Sequence, residues 1–125
     1  MTIAGILAVF LLAILVAFQV ALALGAPLGA AAWGGQHPGV LPGRLRIASA
    51  IVGALIYPLI ALVVLAASGV VNIGLPIDGR IVMWVLAAFF GLGTVVNAIS
   101  RSAPERIWSP VSAILAICCA VIALG

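Results

Sequence analysis

The 125-residue sequence has very little charge and no lysine. Charged residues make up 6% of the chain and hydrophobic residues 67%, whereas about one quarter of the residues of a soluble domain are charged. A chain of this composition could not cover its surface in water, which excludes a soluble globular domain. We therefore expect lipid to be the solvent around the folded protein.

The side chains that usually carry catalysis or bind metals are also scarce. The sequence has one histidine, His37, and two carboxylates, Asp78 and Glu105. Its two cysteines, Cys118 and Cys119, are adjacent and lack the Cys-x-x-Cys redox spacing. Too few ligands remain for a metal site. The sequence therefore indicates no catalytic, cofactor-binding or metal-ligating set, and we expect a protein without a cofactor that is not an enzyme.

Four long apolar runs fill most of the chain. About 20 apolar residues are needed for a helix to cross a hydrocarbon core roughly 30 Å thick. Each run is continuously apolar instead of alternating, which favours helices over barrel strands. The sequence predicts an all-α integral membrane bundle of four transmembrane helices, forming one domain over residues 1–125. The predicted helices cover about residues 3–24, 47–67, 81–99 and 107–124.

The arginines predict the orientation of the bundle in the cell membrane. Four of the five belong to loops 25–46 and 100–109, and only Arg80 belongs to the loop between the second and third helices. Because basic loops stay in the cytoplasm, we expect loops 25–46 and 100–109 to be cytoplasmic and both termini to lie outside. The apolar run of the first segment is too long for a signal peptide, so we expect this helix to be retained.

Four polar side chains fall in the cytoplasmic half of the predicted spans. Buried amides and hydroxyls need hydrogen-bond partners, so this set either forms hydrogen bonds between helices or lines a polar pocket that opens to the cytoplasm. The candidate pocket residues are Gln19, Ser49, Thr94 and Asn97.

A second polar set belongs to the two basic loops, where aromatic and basic residues are mixed. Orientation alone explains the arginines, but basic residues at the inner leaflet also attract anionic headgroups. Glu105 is expected to cap or to pair with a neighbouring arginine, and His37 to form loop hydrogen bonds. The candidate contacts with lipid or a partner are Trp33, His37, Arg44, Arg46, Arg101, Glu105, Arg106 and Trp108.

Three local signals concern helix geometry. Pro58 is expected to kink the second helix because it removes one backbone donor. Ser109 and Pro110 resemble an N-cap followed by proline at the first helical position. Small residues recur every fourth position in the first helix, which favours close helix packing within the bundle or between two copies.

The whole chain resembles small four-helix bacterial proteins described only as hypothetical membrane proteins. Residues 25–46 and 97–106 carry this likeness, through Gly-Ala-Pro-Leu-Gly, Leu-Pro-x-Arg-Leu-Arg and Pro-Glu-Arg. The resemblance implies the architecture and no activity.

Three hypotheses about function follow. The first is a non-enzymatic membrane protein whose basic loops bind a partner protein or anionic lipid, and which self-associates. The second is a homo-oligomeric transporter or channel for a small solute, based on Gln19, Asn97 and Pro58. The third is an enzyme for lipid-like substrates that uses His37 and Glu105. Five scattered arginines are too few for a nucleic-acid surface, so no nucleic-acid partner is expected.

Overall fold

The computed structural model describes residues 2–125, in which four long helices account for most of the chain and no strand occurs. All four helices are long and apolar enough to cross a membrane. The predicted four-helix integral membrane bundle is therefore confirmed, and the chain is a multi-pass membrane protein. Met1, part of the predicted domain, lies outside the described residues. The helices are α1 (Thr2–Ala23), α2 (Gly43–Ala67), α3 (Gly79–Ala98) and α4 (Glu105–Leu124).

Three of the helices begin two to four residues earlier than the sequence predicted, with α3 beginning at Gly79. Helix α2 begins at Gly43, so Arg44 and Arg46 lie in its first turn instead of in the preceding loop. Helix α4 begins with a 3-10 turn over Glu105–Ile107. The predicted N-cap at Ser109 is wrong, because Ser109 already lies inside the helix and its hydroxyl donates to the Thr94 carbonyl of α3 at 2.9 Å.

The four helices pack as two close pairs, α1 with α2 and α3 with α4. In the first pair, Gly53 of α2 lies so close to α1 that a Cβ atom added to it would be 2.8 Å from the Cβ of Gln19. In the second, Gly93 of α3 faces Ser112 of α4. Gly53 permits the first approach, as expected where lipid removes the hydrophobic drive between helices. At Gly93 an added Cβ atom would be in ordinary contact with Ser112, at 3.6 Å. The two pairs meet around a buried core of Ala8, Leu12, Leu15, Val64, Met83, Phe90, Leu115, Cys118, Cys119, Ile122 and Ala123.

Helix α2 contains a π-helical turn over Val52–Ile56, immediately before Pro58. Tyr57 N–H donates to the Val52 carbonyl, five residues earlier, instead of to the fourth. The sequence predicted a disturbance here from the missing proline donor, and a wider turn is the form that it takes. Turns of this kind recur at functional sites, where they change the direction of side chains.

The loops divide between the two ends of the bundle. Loop one (residues 24–42) and loop three (residues 99–104) are hydrogen-bonded to each other at one end. Loop two (residues 68–78) lies at the other end, where Gly5 contacts Ser68 and where Arg80 and Gly125 border a common small cavity. We call the end that holds loops one and three the loop-one end. That this end faces the cytoplasm stays a prediction from the arginines.

Candidate functional site

Loop one folds into its end of the bundle instead of extending from it. It contains two short 3-10 turns, Gly29–Ala31 and Trp33–Gly35. Leu22, Ala32 and Leu41 form a small buried cluster against which Phe18 and Leu45 pack. Apolar residues of the loop are thus held between the ends of α1 and α2.

Hydrogen bonds attach loop one to both helix pairs. Trp33 Nε1 donates to the hydroxyl of Ser49, a fully buried residue of α2, at 2.9 Å. Trp108 Nε1 of α4 donates to the Ala31 carbonyl, also at 2.9 Å. The Ser102 hydroxyl of loop three donates to the Ala30 carbonyl. Loop one therefore links α2 to loop three and α4.

The backbone of loop one is left-handed at three consecutive residues. Trp33, Gly34 and Gly35 have φ angles of 51°, 77° and 71°, a region that is unfavourable for a tryptophan. This conformation allows the Gly34 N–H to donate to Glu105 Oε2 at 2.7 Å. Gly35 lies against the Ser102 side chain with no room for a Cβ atom. The contacts with loop three stabilise a turn that this sequence would not form readily alone.

Below loop one, a cavity of about 560 Å³ lies between α1, α2, α3 and α4. Most of its wall is apolar, and six of the eight aromatic residues of the chain contribute to it. These six are Phe18, Trp33, Tyr57, Phe89, Phe90 and Trp108. The Phe18 and Trp108 rings are in contact, with centroids 4.6 Å apart. The cavity thus concentrates the aromatic surface of a chain that is otherwise mostly aliphatic.

Three polar side chains with amide or carboxylate groups also border the cavity: Gln19, Asn97 and Glu105. The Gln19 Oε1 atom is buried and has no hydrogen-bond partner within residues 2–125. Glu105 is only 7% exposed, and the bond from Gly34 is the one its carboxylate accepts from the described residues. Because the Gln19 oxygen has almost no accessible surface, the unused acceptor capacity at the cavity wall belongs to the Glu105 carboxylate.

The mouth of the cavity faces the lipid between α2 and α3. Ile56 on α2, and Phe89, Leu92 and Val96 on α3, border the cavity and are also exposed on the outer surface. Helix α2 contacts α3 mainly through the segment after its π turn, Tyr57–Ala67, so the two helices separate toward the loop-one end. All four side chains at the mouth are apolar, so the opening matches the polarity of the hydrocarbon expected around α2 and α3.

The structure divides the four predicted pocket residues into two groups. Gln19 and Asn97 both border the cavity. Ser49 does not border it, and its hydroxyl is the acceptor for Trp33. Thr94 also lies outside the wall, since its hydroxyl donates to the Phe90 carbonyl of the preceding turn at 2.9 Å. The geometry therefore adds Glu105 to the two amides in place of the two hydroxyls.

Of the residues predicted to contact lipid or a partner, some border the cavity and others do not. Trp33, Glu105 and Trp108 border the cavity, whereas His37 lies in loop one, where its carbonyl is packed against Gly29. Arg44 is exposed. No hydrogen bond joins His37 to Glu105 in the part of the chain that the structure describes.

The arginines that form hydrogen bonds donate to backbone carbonyls. Arg46 Nε donates to Ala23 at 3.1 Å, and Arg106 Nε to Ser100 at 2.8 Å. Arg106 also reaches the carbonyl of Arg101, whose own side chain is exposed. The expected pairing of Glu105 with a neighbouring arginine is therefore replaced by its bond to Gly34, because the turn of loop one brings this N–H to the carboxylate.

Four of the six aromatic residues of the cavity were not among the predicted site residues: Phe18, Tyr57, Phe89 and Phe90. In apolar runs an aromatic residue has no distinctive pattern, since lipid-facing and cavity-facing positions are equally hydrophobic. One signal was present in the adjacency of Phe18 to Gln19 and of Tyr57 to Pro58. Each pair places an aromatic ring beside a feature that disturbs regular helix packing.

Residues 2–125 contain no group of three or more His, Cys, Asp or Glu side chains placed to hold a metal ion. Comparisons with protein-family models, curated proteins and solved structures find no match for this chain. The four apolar helices agree with the architecture that the resemblance to small membrane proteins implied, while a bacterial origin stays a prediction.

Proposed function

We propose that this membrane protein binds a small, largely apolar molecule that enters from the bilayer. The observation that supports the proposal is the cavity of about 560 Å³ that opens between α2 and α3 and has Gln19, Asn97 and Glu105 in its wall. Ligand pockets usually have volumes of about 300–1,000 Å³, mostly apolar walls and a few polar groups that orient the ligand. Gln19, Asn97 and Glu105 would be those groups here.

The position of the cavity supports the second sequence hypothesis, transport of a small solute. The mouth lies at membrane depth, and the loop-one end is covered by Ala31, Ala32 and Trp33. A solute that enters from the lipid would leave at this end if loop one moved aside. Binding is the step that the geometry supports directly, so it is the step to test first.

Tryptophan fluorescence offers a direct measurement of binding. Of the three tryptophans, Trp33 and Trp108 border the cavity and Trp84 does not. In a Trp84→Phe background in nanodiscs, 1-bromo-4-neopentylbenzene, a neutral aromatic probe, should quench the remaining emission, because bromine quenches tryptophan at contact distance. Saturable quenching is the expected result.

A matched pair of substitutions separates the cavity from the surrounding lipid. Gly93 borders the cavity, and a Cβ atom there would meet only Ser112 at an ordinary 3.6 Å. Gly91, two residues away, has nothing within 4 Å of its added Cβ atom. Gly93→Leu should fill the cavity and remove the saturable component, whereas Gly91→Leu should preserve it. Equal quenching in both variants would show that the probe binds in the lipid and would refute the proposal.

The exposed guanidinium groups at the loop-one end favour a second function, binding of anionic lipid. Arg44, Arg101 and Arg106 are exposed there, and Arg46 is half-buried beside them. The guanidiniums that form hydrogen bonds within residues 2–125 use carbonyl groups and not carboxylates, so their charge stays available to headgroups. Near a membrane surface each basic residue contributes about 1 kcal/mol to such attraction. With this end in the cytoplasm, the lipids would be those of the inner leaflet.

Substitution of the four arginines by glutamine tests this second function. The variant should retain much less anionic lipid during purification from mixed bilayers than the wild type does. Arg80→Gln is the control, since Arg80 lies at the opposite end. Unchanged lipid retention in a folded, correctly oriented variant would exclude the lipid site. Loss of a co-purifying protein instead would favour the partner-protein form of the hypothesis.

A further inference from the structure

The groups that face the cavity are electron-rich, and this limits the chemistry of its ligand. We propose that the ligand is an organic monocation with an apolar body, such as a hydrophobic amine or a quaternary ammonium compound. This inference depends on the proposed function, because it names the chemical class of the molecule that the cavity binds. It is carried by the presence of Glu105 and six aromatic rings around one space.

The first argument concerns the charge of Glu105. An ionised carboxylate that is removed from water needs a counter-charge or several hydrogen bonds. The side chain is 7% exposed, and within the described residues it accepts one hydrogen bond, from Gly34. Arg106, its neighbour in the sequence, directs its guanidinium to Ser100 and Arg101. A cation in the cavity would supply a counter-charge, which none of residues 2–125 provides through an ion pair with this carboxylate.

The second argument concerns the aromatic rings. A cation over the face of a tryptophan, tyrosine or phenylalanine ring is attracted by the ring quadrupole, and the attraction is stronger away from water. Phe18 and Trp108 form one contacting pair in the wall, and Phe89 and Phe90 form another, with centroids 5.2 Å apart. The carboxylate and the aromatic rings of the wall both favour positive charge.

The same groups argue against other ligand classes. An anion would face Glu105 and the negative faces of the rings. An inorganic dication prefers six or more oxygen ligands, whereas the amide and carboxylate side chains here are three: Gln19, Asn97 and Glu105. The apolar mouth between α2 and α3 also favours a ligand with a large apolar surface that partitions into the bilayer. A singly charged organic molecule with a large apolar surface satisfies all of these conditions.

The test compares two probes of the same shape that differ in charge. (4-Bromobenzyl)trimethylammonium has a nitrogen where 1-bromo-4-neopentylbenzene has a quaternary carbon. Both are measured by quenching of Trp33 and Trp108 in the Trp84→Phe background, corrected for partition into empty nanodiscs. The wild-type cavity should bind the cation about tenfold or more tightly than the neutral probe.

The Glu105→Gln substitution removes the charge but keeps an oxygen acceptor for Gly34. It should weaken cation binding about tenfold or more and change binding of the neutral probe less than about twofold. Equal binding of both probes by the wild type would overturn this inference and leave the proposed function intact. Absence of saturable quenching by either probe would overturn both. Because the comparison of probes uses wild-type Glu105, the test is valid even if the variant folds poorly.

Discussion

The close approach of α1 and α2 at Gly53 allows a quantitative prediction. A Cβ atom at Gly53 would be 2.8 Å from the Cβ of Gln19 and 3.2 Å from the backbone nitrogen of Val20. Neither atom can move by a change of rotamer, so Gly53→Ala must push the two helices apart. Such overpacking costs about 1–3 kcal/mol. Alanine also improves helix propensity by as much as about 1 kcal/mol, and this gain opposes the loss.

Gly91→Ala is the matched control, because it makes the same change on α3 where nothing lies within 4 Å. The gain in propensity is common to both variants, so their difference isolates the overpacking. Reversible unfolding in mixed micelles should therefore place Gly53→Ala about 1–3 kcal/mol below Gly91→Ala. Equal stability of the two variants would refute the close contact of α1 with α2.

Three further predictions concern loop one and the orientation of the bundle. Gly35→Ala should expose loop one to limited proteolysis with a non-specific protease, since Ser102 occupies the space of the new Cβ atom; protection equal to the wild type would contradict the packing. Trp33→Phe should lower the free energy of unfolding by about 1 kcal/mol, because the buried Ser49 hydroxyl loses its donor. Trp84→Phe, at an exposed position, is the control and should be neutral. An impermeant maleimide should label Asp78→Cys on intact cells and Arg101→Cys only after permeabilisation; the reverse result would invert the predicted topology.

The sequence was sufficient to predict that the chain has four transmembrane helices, because length and hydropathy alone decide whether a segment can cross a bilayer. It was less informative about where helices begin in polar surroundings. Gly43 and Arg44 have no capping signal, yet α2 begins there. The approximate position of the disturbance at Pro58 could be predicted from its missing donor. Its form as a π turn could not, because a missing donor does not determine which wider hydrogen bond the preceding turn adopts.

The candidate site was predicted only in part. Gln19 and Asn97 were identifiable because an amide inside an apolar run is rare and costly. The inclusion of Glu105 depends on a left-handed turn at Trp33 and Gly34, which brings a backbone N–H to a carboxylate 71 positions away. Such a long-range contact leaves no periodic pattern in the sequence. A tryptophan in this conformation is also contrary to its local preference.

Loop one explains why the cavity of about 560 Å³ lies between the two helix pairs at its own end of the bundle. At the loop-two end the pairs meet directly through core residues such as Val64 and Met83. At the other end loop one lies between them, bonded to α2 through Trp33 and to α4 through Trp108. A loop of turns cannot fill the space between helices as a fifth helix would, so α2 and α3 remain apart below it. The hydrogen bonds that hold the loop therefore also maintain the cavity, and a ligand that weakened them would open the cavity toward the loop-one end.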